Sequence, residues 1–145
     1  MATDRNAKVT WTGSLMDGSG RIEGVGSGAF GPLDVTWASR AEEPQGRTSP
    51  EELIAAAWAS CFSMALSHGL AGAGTPPERL ETSATVTFQP GEGIIRGAIE
   101  VVGTVSGIDH DGFVAQAEAA VVNCPVSKAL TGVPEVTVSA THATT

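Results

Sequence analysis

The chain has 145 residues, of which 41% are hydrophobic and 17% are charged. A length of about 100–200 residues predicts a single domain, here residues 1–145, and this apolar share excludes an intrinsically disordered chain. Sixteen acidic residues against eight basic ones give a net charge of −8. That balance argues against a nucleic-acid partner, which selects a basic surface, and against docking on anionic lipid.

The amino-terminal stretch, residues 1–12, mixes charged and polar side chains and contains no apolar run. We therefore expect neither a signal peptide nor a lipid anchor, and a cytoplasmic location is the expectation. The longest uncharged apolar run, residues 53–67, is shorter than the roughly 20 residues that span a bilayer. In a reducing cytosol the two cysteines, Cys61 and Cys124, are expected to be reactive or simply buried rather than permanently joined.

Strand patterns fill the first part of the chain. The predicted strands, separated by Gly-rich turns, are 8–15, 21–25 and 33–38. The third is predicted because Leu33, Val35 and Trp37 alternate with polar or small residues, which is the period of a half-buried strand. A polar loop over residues 40–48 follows it.

A helix start follows this loop. Ser49 suits the N-cap, Pro50 suits the first helical position, and Glu52 completes a capping box. The helix is predicted to run to His68, with Gly69 just beyond its end. Apolar side chains and alanines cover this segment on every side, which predicts a central helix enclosed by protein.

The second half of the chain alternates between strand and helix patterns. In chain order we predict strands 82–89 and 94–106, a helix from an Asp111 N-cap to about Val122, a short helix 125–130, and a strand 135–140. The inner face of the longer helix is predicted to carry Val114, Ala117 and Val121. This order of elements predicts an α+β fold with antiparallel sheets wrapped around the central helix.

The cysteines are the candidates for chemistry. Cys61 lies within the apolar helix, and no cation lies within one helical turn of it, so its position alone favours a small buried hydrophobe. Cys124 occupies the N-cap position of the short helix, before Pro125. A helix N-terminus lowers the pKa of a thiol, so a reactive role and a packing role are equally open for Cys124.

Histidine-based sites have weaker support. His68, His110 and His142 could join the cysteines at a metal, but no pair has the spacing of a metal site, so no metal is expected. A Cys–His thiol hydrolase would need His110 close to Cys61 through the fold. His68 follows Cys61 by seven residues, which is about 10 Å along a helix and beyond hydrogen-bond reach.

Two motifs resemble the OsmC/Ohr superfamily of thiol-dependent peroxidases. Residues 48–57 together with 59–67 resemble its signature helix, and Asn123-Cys124-Pro125-Val126-Ser127 resembles its second cysteine motif. Residues 37–40, which read as a short polar strand end, resemble the OsmC branch more than the organic hydroperoxide resistance branch. The resemblance spans nearly the whole chain, and it favours a reactive Cys61 over a merely packed one.

The resemblance implies a two-cysteine peroxidase that reduces organic hydroperoxides in defence against oxidative or osmotic stress. Cys61 would attack the peroxide and become a sulfenic acid, which Cys124 would resolve as a disulfide. Arg40 matches the arginine that holds Cys61 as a thiolate and polarises the peroxide, and Glu51 matches the glutamate that orients this arginine. No bound cofactor is implied; an external dithiol, such as a lipoylated protein or a small dithiol, would reduce the disulfide.

The resemblance also implies an intertwined homodimer with two interfacial sites. Glu51 and Cys61 lie ten residues apart in the predicted helix, which is about 15 Å along its axis. One straight helix cannot bring these two side chains together. Two antiparallel copies related by a dyad could place Glu51 of one chain near Cys61 of the other, so we expect composite sites.

Trp58 departs from the family pattern, since OsmC relatives often carry His three residues before the first cysteine. A tryptophan there could reshape or dry the peroxide pocket. We expect an apolar pocket that favours alkyl or fatty-acid hydroperoxides over hydrogen peroxide. Its expected lining is Leu53, Trp58, Phe62 and Met64.

Alternatives remain open at two points. Arg21 and Arg47 lie in nearby loops and could take the role that the resemblance gives to Arg40. The rival function of another class is a dimeric binding or structural domain in which Cys61 and Cys124 are only packed or disulfide-linked. A bridge between them could contribute about 4 kcal/mol through loop entropy.

Overall fold

The fold, described for residues 1–143 by a computed structural model, divides into two compact units. The first is Met1–Leu53, and the second begins at Ile54. In chain order the elements are β1 (Ala7–Thr12), β2 (Ser19–Val25), β3 (Leu33–Val35), α1 (Trp37–Ala41), α2 (Pro50–Gly72), β4 (Arg79–Gln89), β5 (Gly93–Thr104), α3 (His110–Asn123), α4 (Pro125–Ala129) and β6 (Glu135–Ala143). The predicted α+β class with a long helix is confirmed.

The first unit contains an open antiparallel sheet in the order β1-β2-β3. Every residue of β1 is exposed, whereas Ile22 on β2 is buried. Large apolar side chains of this unit remain exposed in a single chain; they are Val9, Trp11, Leu15, Met16, Phe30 and Leu33. The unit therefore leaves much of its apolar surface uncovered by its own chain.

The predicted strand over 33–38 is wrong beyond Val35, because a short helix begins at Trp37. The hydroxyl of Thr36 accepts a hydrogen bond from the backbone N–H of Ser39 at 3.0 Å, and the Ser39 hydroxyl accepts one from the Thr36 N–H at 2.9 Å. These two bonds form a reciprocal capping box. Residues 37–40 are consequently a helical turn and not the end of a strand, which brings Arg40 onto α1.

The start of α2 follows the prediction. The backbone N–H of Glu52 donates to the Ser49 hydroxyl at 3.2 Å. The second half of the predicted capping box differs, because the Glu52 carboxylate accepts from the Thr48 hydroxyl at 2.8 Å. Both acidic residues of the first turn, Glu51 and Glu52, lie where the positive end of the helix dipole favours negative charge.

The predicted end of this helix at His68 is wrong, because α2 continues to Gly72. Gly69 lies inside the helix instead of terminating it. A Cβ atom at Gly69 would lie 2.9 Å from Oε1 of Gln116 on α3. This glycine thus allows close approach of a neighbouring side chain.

The expectation that α2 is enclosed on all sides is wrong for a single chain. Its buried apolar residues form one stripe with a spacing of four: Trp58, Phe62, Leu66 and Leu70. Met64, on another face, is 73% exposed. The length and composition of α2 would also suit a membrane span, yet this stripe packs into the protein core. The chain covers only one face of α2.

The second sheet has the order β4-β5-β6, and the expectation of purely antiparallel pairing fails at one pair. β4 and β5 are antiparallel, whereas β5 and β6 are parallel. The reason is the connection, since α3 and α4 carry the chain back so that β6 can run in the same direction as β5. β6 also extends to Ala143, three residues beyond its predicted end.

The N-cap of α3 is Asp109 and not Asp111 as predicted. The Asp109 carboxylate accepts from the backbone N–H of Gly112 at 2.8 Å. Asp111 lies in the first helical turn instead. Both aspartates suit a helix start, and the hydrogen bond to Gly112 decides between them.

The inner face of α3 also differs from the prediction. Its buried residues are Phe113, Ala117 and Ala120, whereas Val114 and Val121 are only half-buried. Phe113 occupies the space over Gly103 on β5, which a Cβ atom at that glycine would fill. The aromatic ring therefore sets which face of α3 turns toward the second sheet.

Candidate active site

The two cysteines meet in the second unit. Cys61 lies in the middle of α2 and is partly exposed, whereas Cys124 is 0% exposed. Both thiols are free, and each of them acts on the pKa of the other. The fold thus joins two side chains that lie far apart in the sequence.

Cys124 lies at the junction between α3 and α4. Its backbone N–H donates to the carbonyl of Ala120 at 2.9 Å, and its own carbonyl accepts from the N–H of Lys128 at 3.0 Å. It is therefore both the last cap of α3 and the N-cap of α4, with Pro125 at the first position as predicted. Because two helices end and begin at this residue, its backbone is fixed and its side chain is held in the core.

The surroundings of Cys124 favour its thiolate. Burial alone would raise the pKa of this thiol, but several hydrogen bonds outweigh burial and lower the pKa below the usual value. The donors are the Cys61 thiol, the backbone N–H and hydroxyl of Ser127, and the N–H of Val126. The two backbone donors belong to the first turn of α4, whose partial positive charge stabilises an anion at the N-cap.

The pKa of the Cys61 thiol is shifted in the opposite direction. Burial, followed by the hydrogen bond and the negative charge of Cys124, raises the pKa of the Cys61 thiol, and only the N–H of Val126 acts to lower it. The Cys61 thiol therefore holds its proton more tightly than the Cys124 thiol does. The negative charge of the pair is therefore favoured on Cys124.

Arg40 and Glu51 form an ion pair in the first unit. The Arg40 Nε donates to both carboxylate oxygens of Glu51 at 2.9 and 3.2 Å, and its Nη2 lies 2.8 Å from Oε1. Glu51 is 6% exposed, while the Arg40 side chain keeps 34% of its surface accessible. The buried Glu51 carboxylate thus fixes the Arg40 side chain, part of which stays accessible to solvent.

The two alternative arginines are placed differently. Arg21 lies 3.9 Å from both Glu23 and Asp34, with half of its side chain exposed. Arg47 is exposed in the loop before α2. Among the arginines of residues 1–143, Arg40 is the one paired with a buried carboxylate.

A cavity of about 480 Å³ opens beside Cys61. Its lining is largely apolar, contributed by α2, α3 and the first residue of α4: Cys61, Met64, Ala65, His68, Gly69, Gln116, Ala119, Ala120, Asn123 and Pro125. Of the four residues expected to line a pocket, only Met64 does so. Trp58 and Phe62 instead point into the protein core, because they belong to the buried stripe of α2.

One of the histidines considered for catalysis lines this cavity and another does not. His68 lines it, whereas His110 is the exposed first residue of α3 and is not part of the lining. Within residues 1–143, no three side chains of His, Cys, Asp or Glu lie close enough together to hold a metal ion.

One contact next to the cysteines was not expected from the sequence. The indole N–H of Trp58 donates to the hydroxyl of Ser127 at 2.7 Å, and Ser127 is among the groups that lower the pKa of the Cys124 thiol. The three-residue spacing from Cys124 to Ser127 is that of an N-cap and its N3 partner, which could have indicated Ser127. No local pattern indicates Trp58, because its partner lies on a distant element.

Comparison with known proteins identifies the family. Residues 43–139 match the family described as OsmC-like protein. The chain is 35% identical over 133 residues to Peroxiredoxin OsmC of Escherichia coli (strain K12), covering 90% of this chain and 92% of that protein, and equally to Peroxiredoxin OsmC of Shigella flexneri.

Solved structures share the fold. The organic hydroperoxide resistance protein OhrB of Bacillus subtilis matches with a TM-score of 0.60 and 26% identity over 95% of this chain and 98% of that one. An organic hydroperoxide resistance protein from Elizabethkingia anophelis matches with a TM-score of 0.68 and 22% identity over 99% of this chain and 100% of that one. The chain therefore belongs to the OsmC-like protein family.

Proposed function

We propose that this protein is a thiol peroxidase that reduces organic hydroperoxides to alcohols, with Cys61 as the peroxidatic and Cys124 as the resolving cysteine. The observation that carries the proposal is the contact between these thiols beside a cavity. The E. coli relative bears the name peroxiredoxin, and the B. subtilis structure is titled an organic hydroperoxide resistance protein. Both names agree with thiol chemistry on a peroxide.

The proposed reaction has two displacement steps, the first at the peroxide oxygen and the second at the sulfenic sulfur. The Cys61 thiolate attacks the terminal oxygen of the hydroperoxide, so that an S–O bond forms, the O–O bond breaks, and the alkoxide takes a proton from solvent and leaves as an alcohol. Cys124 then attacks the sulfenic sulfur of Cys61, forming the disulfide, and the hydroxide leaves as water after protonation. An external dithiol supplies the two electrons that restore both thiols.

The cavity supports an organic substrate. Its volume of about 480 Å³ lies within the range of small-molecule pockets. Most of its wall is apolar, and burial of an alkyl group there releases apolar surface from water. Hydrogen peroxide has no such group, so we expect it to react more slowly than an alkyl or fatty-acid hydroperoxide.

The thiolate of Cys61 requires a cation. Burial and the neighbouring Cys124 raise the pKa of Cys61 within one chain, so a nucleophile at neutral pH needs an added positive charge. In the proposed homodimer, Arg40 and Glu51 of a second copy supply this charge beside Cys61. The same guanidinium stabilises negative charge that develops on the peroxide oxygens.

Exposed apolar surface supports the dimer. Val9 and Trp11 on the first sheet, and Met64 on α2, are all exposed in a single chain. Large apolar side chains left exposed on each unit are candidates for contact with a partner. A second copy would cover it. We place the protein in the cytoplasm, where dithiols that recycle the disulfide are abundant.

A thiol-mass experiment tests the proposed function. Reduced protein is mixed with one equivalent of cumene hydroperoxide, and the product is analysed by mass. Wild type is expected to lose two hydrogens as the disulfide forms, Cys124→Ser to accumulate a trappable sulfenic acid, and Cys61→Ser to remain unoxidised. Ser63→Ala is the matched control, since this hydroxyl bonds to Ala59 and Thr82 and not to a cysteine.

Unchanged thiols in wild type would contradict the peroxidase and favour a non-catalytic domain with packed cysteines. Oxidation of Cys124 in the Cys61→Ser variant at the wild-type rate would reverse the assignment of the two cysteines.

A further inference from the structure

The contact between Trp58 and Ser127 has a fixed direction. An indole N–H can only donate, so the Ser127 oxygen must accept the 2.7 Å hydrogen bond. A serine hydroxyl also carries one proton to donate. Accepting from Trp58 leaves this proton available for another acceptor.

That acceptor is the sulfur of Cys124. Ser127 is the third residue of α4, whose N-cap is Cys124, and its hydroxyl is among the groups that lower the pKa of the Cys124 thiol. The result is a chain of donors that leads from Trp58 through Ser127 to Cys124. Hydrogen bonds in such a chain polarise one another, so the donor from Trp58 strengthens the donor from Ser127.

Trp58 is held rigidly where it makes this contact. Its side chain is 1% exposed, and its ring lies over Gly97 of β5, where an added Cβ would approach ring atom Cζ3 to 2.7 Å. The missing side chain at Gly97 makes room for the indole. Trp58 thereby ties α2, which carries Cys61, to the first turn of α4, which Cys124 caps.

We propose that Trp58 is a positioning residue for the resolving step, acting through the Ser127 hydroxyl to hold Cys124 as a thiolate aimed at Cys61. The proposal rests on the proposed peroxidase function for its catalytic consequence. In the step concerned, the Cys124 thiolate attacks the Cys61 sulfenic sulfur, the S–S bond forms, the S–O bond breaks, and the hydroxide departs as water with a solvent proton. Ser127 stabilises the attacking thiolate beforehand.

The first test does not require any peroxidase activity. In a Cys61→Ser background, the rate at which iodoacetamide alkylates Cys124 is measured against pH. Trp58→Phe, which removes the indole N–H but keeps an aromatic ring, is expected to move the midpoint to higher pH, and Ser127→Ala is expected to do the same. Ser127→Thr, which keeps a hydroxyl, is expected to retain the lower midpoint.

The matched control is Ser63→Ala. It removes a hydroxyl of α2 that is hydrogen-bonded to the Ala59 carbonyl and to the Thr82 hydroxyl at 2.8 Å each, and it should leave the midpoint of Cys124 unchanged. Unchanged midpoints in both Trp58→Phe and Ser127→Ala would overturn the proposal. The Ser127→Ala result decides the case if Trp58→Phe fails to fold.

The second test follows the resolving step itself. With one equivalent of hydroperoxide, Trp58→Phe is expected to oxidise Cys61 at the wild-type rate but to form the disulfide roughly threefold to tenfold more slowly. The double variant Trp58→Phe/Ser127→Ala should be no slower than Ser127→Ala alone, because both changes interrupt one chain. Equal slowing of both steps would show a merely structural role and overturn the proposal.

The two tests separate this proposal from the proposed function. If wild type forms no sulfenic acid, the peroxidase is contradicted, while the alkylation midpoints still decide whether Trp58 acts on Cys124.

Discussion

The two units of the chain differ in how much of their chemistry and packing they complete alone. The second unit buries aromatic and aliphatic side chains between its sheet and helices, and it joins the thiols of Cys61 and Cys124. The first unit has an open three-stranded sheet with exposed apolar residues, and it holds the ion pair of Arg40 and Glu51. One unit thus carries the nucleophiles and the other carries the charge.

The pKa shifts of the two thiols reflect this division, because the groups that cause them all belong to the second unit. Within the second unit the groups acting on Cys61 raise the pKa of its thiol, whereas those acting on Cys124 lower the pKa of its thiol. A peroxidase needs the reverse order for its first step, because the thiolate is the attacking species. In the proposed dimer, the ion pair of the second copy changes this order at Cys61.

The largest expected effect concerns packing. Phe113→Ala should lower the free energy of unfolding by about 3–5 kcal/mol, because it empties a fully buried aromatic site. Val9→Ala, on the exposed strand β1, should change it by no more than about 0.5 kcal/mol in a monomeric sample. Urea denaturation at low protein concentration measures both values. Similar losses in the two variants would contradict the contrast between the units.

A smaller effect is expected at the charge pair. Arg40→Met should lower kcat/KM for an organic hydroperoxide about 100-fold, which is the usual size for loss of one group that stabilises developing negative charge. Glu51→Gln should cost less, about 10-fold, since Arg40 remains but loses its ionic partner. Steady-state assays with a dithiol reductant measure both.

Arg21→Met is the matched control, because its contacts of 3.9 Å are made on the surface. A loss of activity in Arg21→Met comparable to that in Arg40→Met would move the catalytic role away from Arg40.

The smallest expected effect is a shift in pH dependence. In a Cys124→Ser background, Arg40→Met should raise the pKa of Cys61, because removal of a cation disfavours the thiolate while burial continues to disfavour it. The thiolate then forms only at higher pH, so the alkylation profile of Cys61 moves to the alkaline side. An unchanged profile would show that Arg40 does not act on Cys61.

Local hydrogen-bonding signals made several elements predictable. The start of α2 at Ser49 and the junction at Cys124 and Pro125 were predicted because the capping residues are neighbours in sequence. The same kind of signal exists at Thr36 and Ser39, whose capping box begins α1, although the alternating pattern of residues 33–38 predicts a strand there. The roles of the cysteines came from the family resemblance, since position alone favoured a packed Cys61.

Contacts between distant elements could not be predicted in this way. The parallel pairing of β5 with β6 depends on how two helices return the chain. The face of α3 that packs on the second sheet, with Phe113 buried, depends on the space at Gly103. Trp58 was expected in the pocket, but its hydrogen bond to Ser127 and its fit over Gly97 place it in the core. Each of these outcomes requires the packed partner to be known.

Subunit complementation tests the central claim most directly. Cys61→Ser is expected to be inactive and Arg40→Met to keep about 1% of wild-type activity, and the two variants are unfolded together, refolded as a mixture and assayed. In composite sites, half of the sites in a mixed dimer combine an intact Cys61 with an intact Arg40, so a random mixture should regain about 25% of wild-type activity. A mixture that contains mixed dimers but stays as inactive as its parents would contradict the account, since each site would then be built from a single chain.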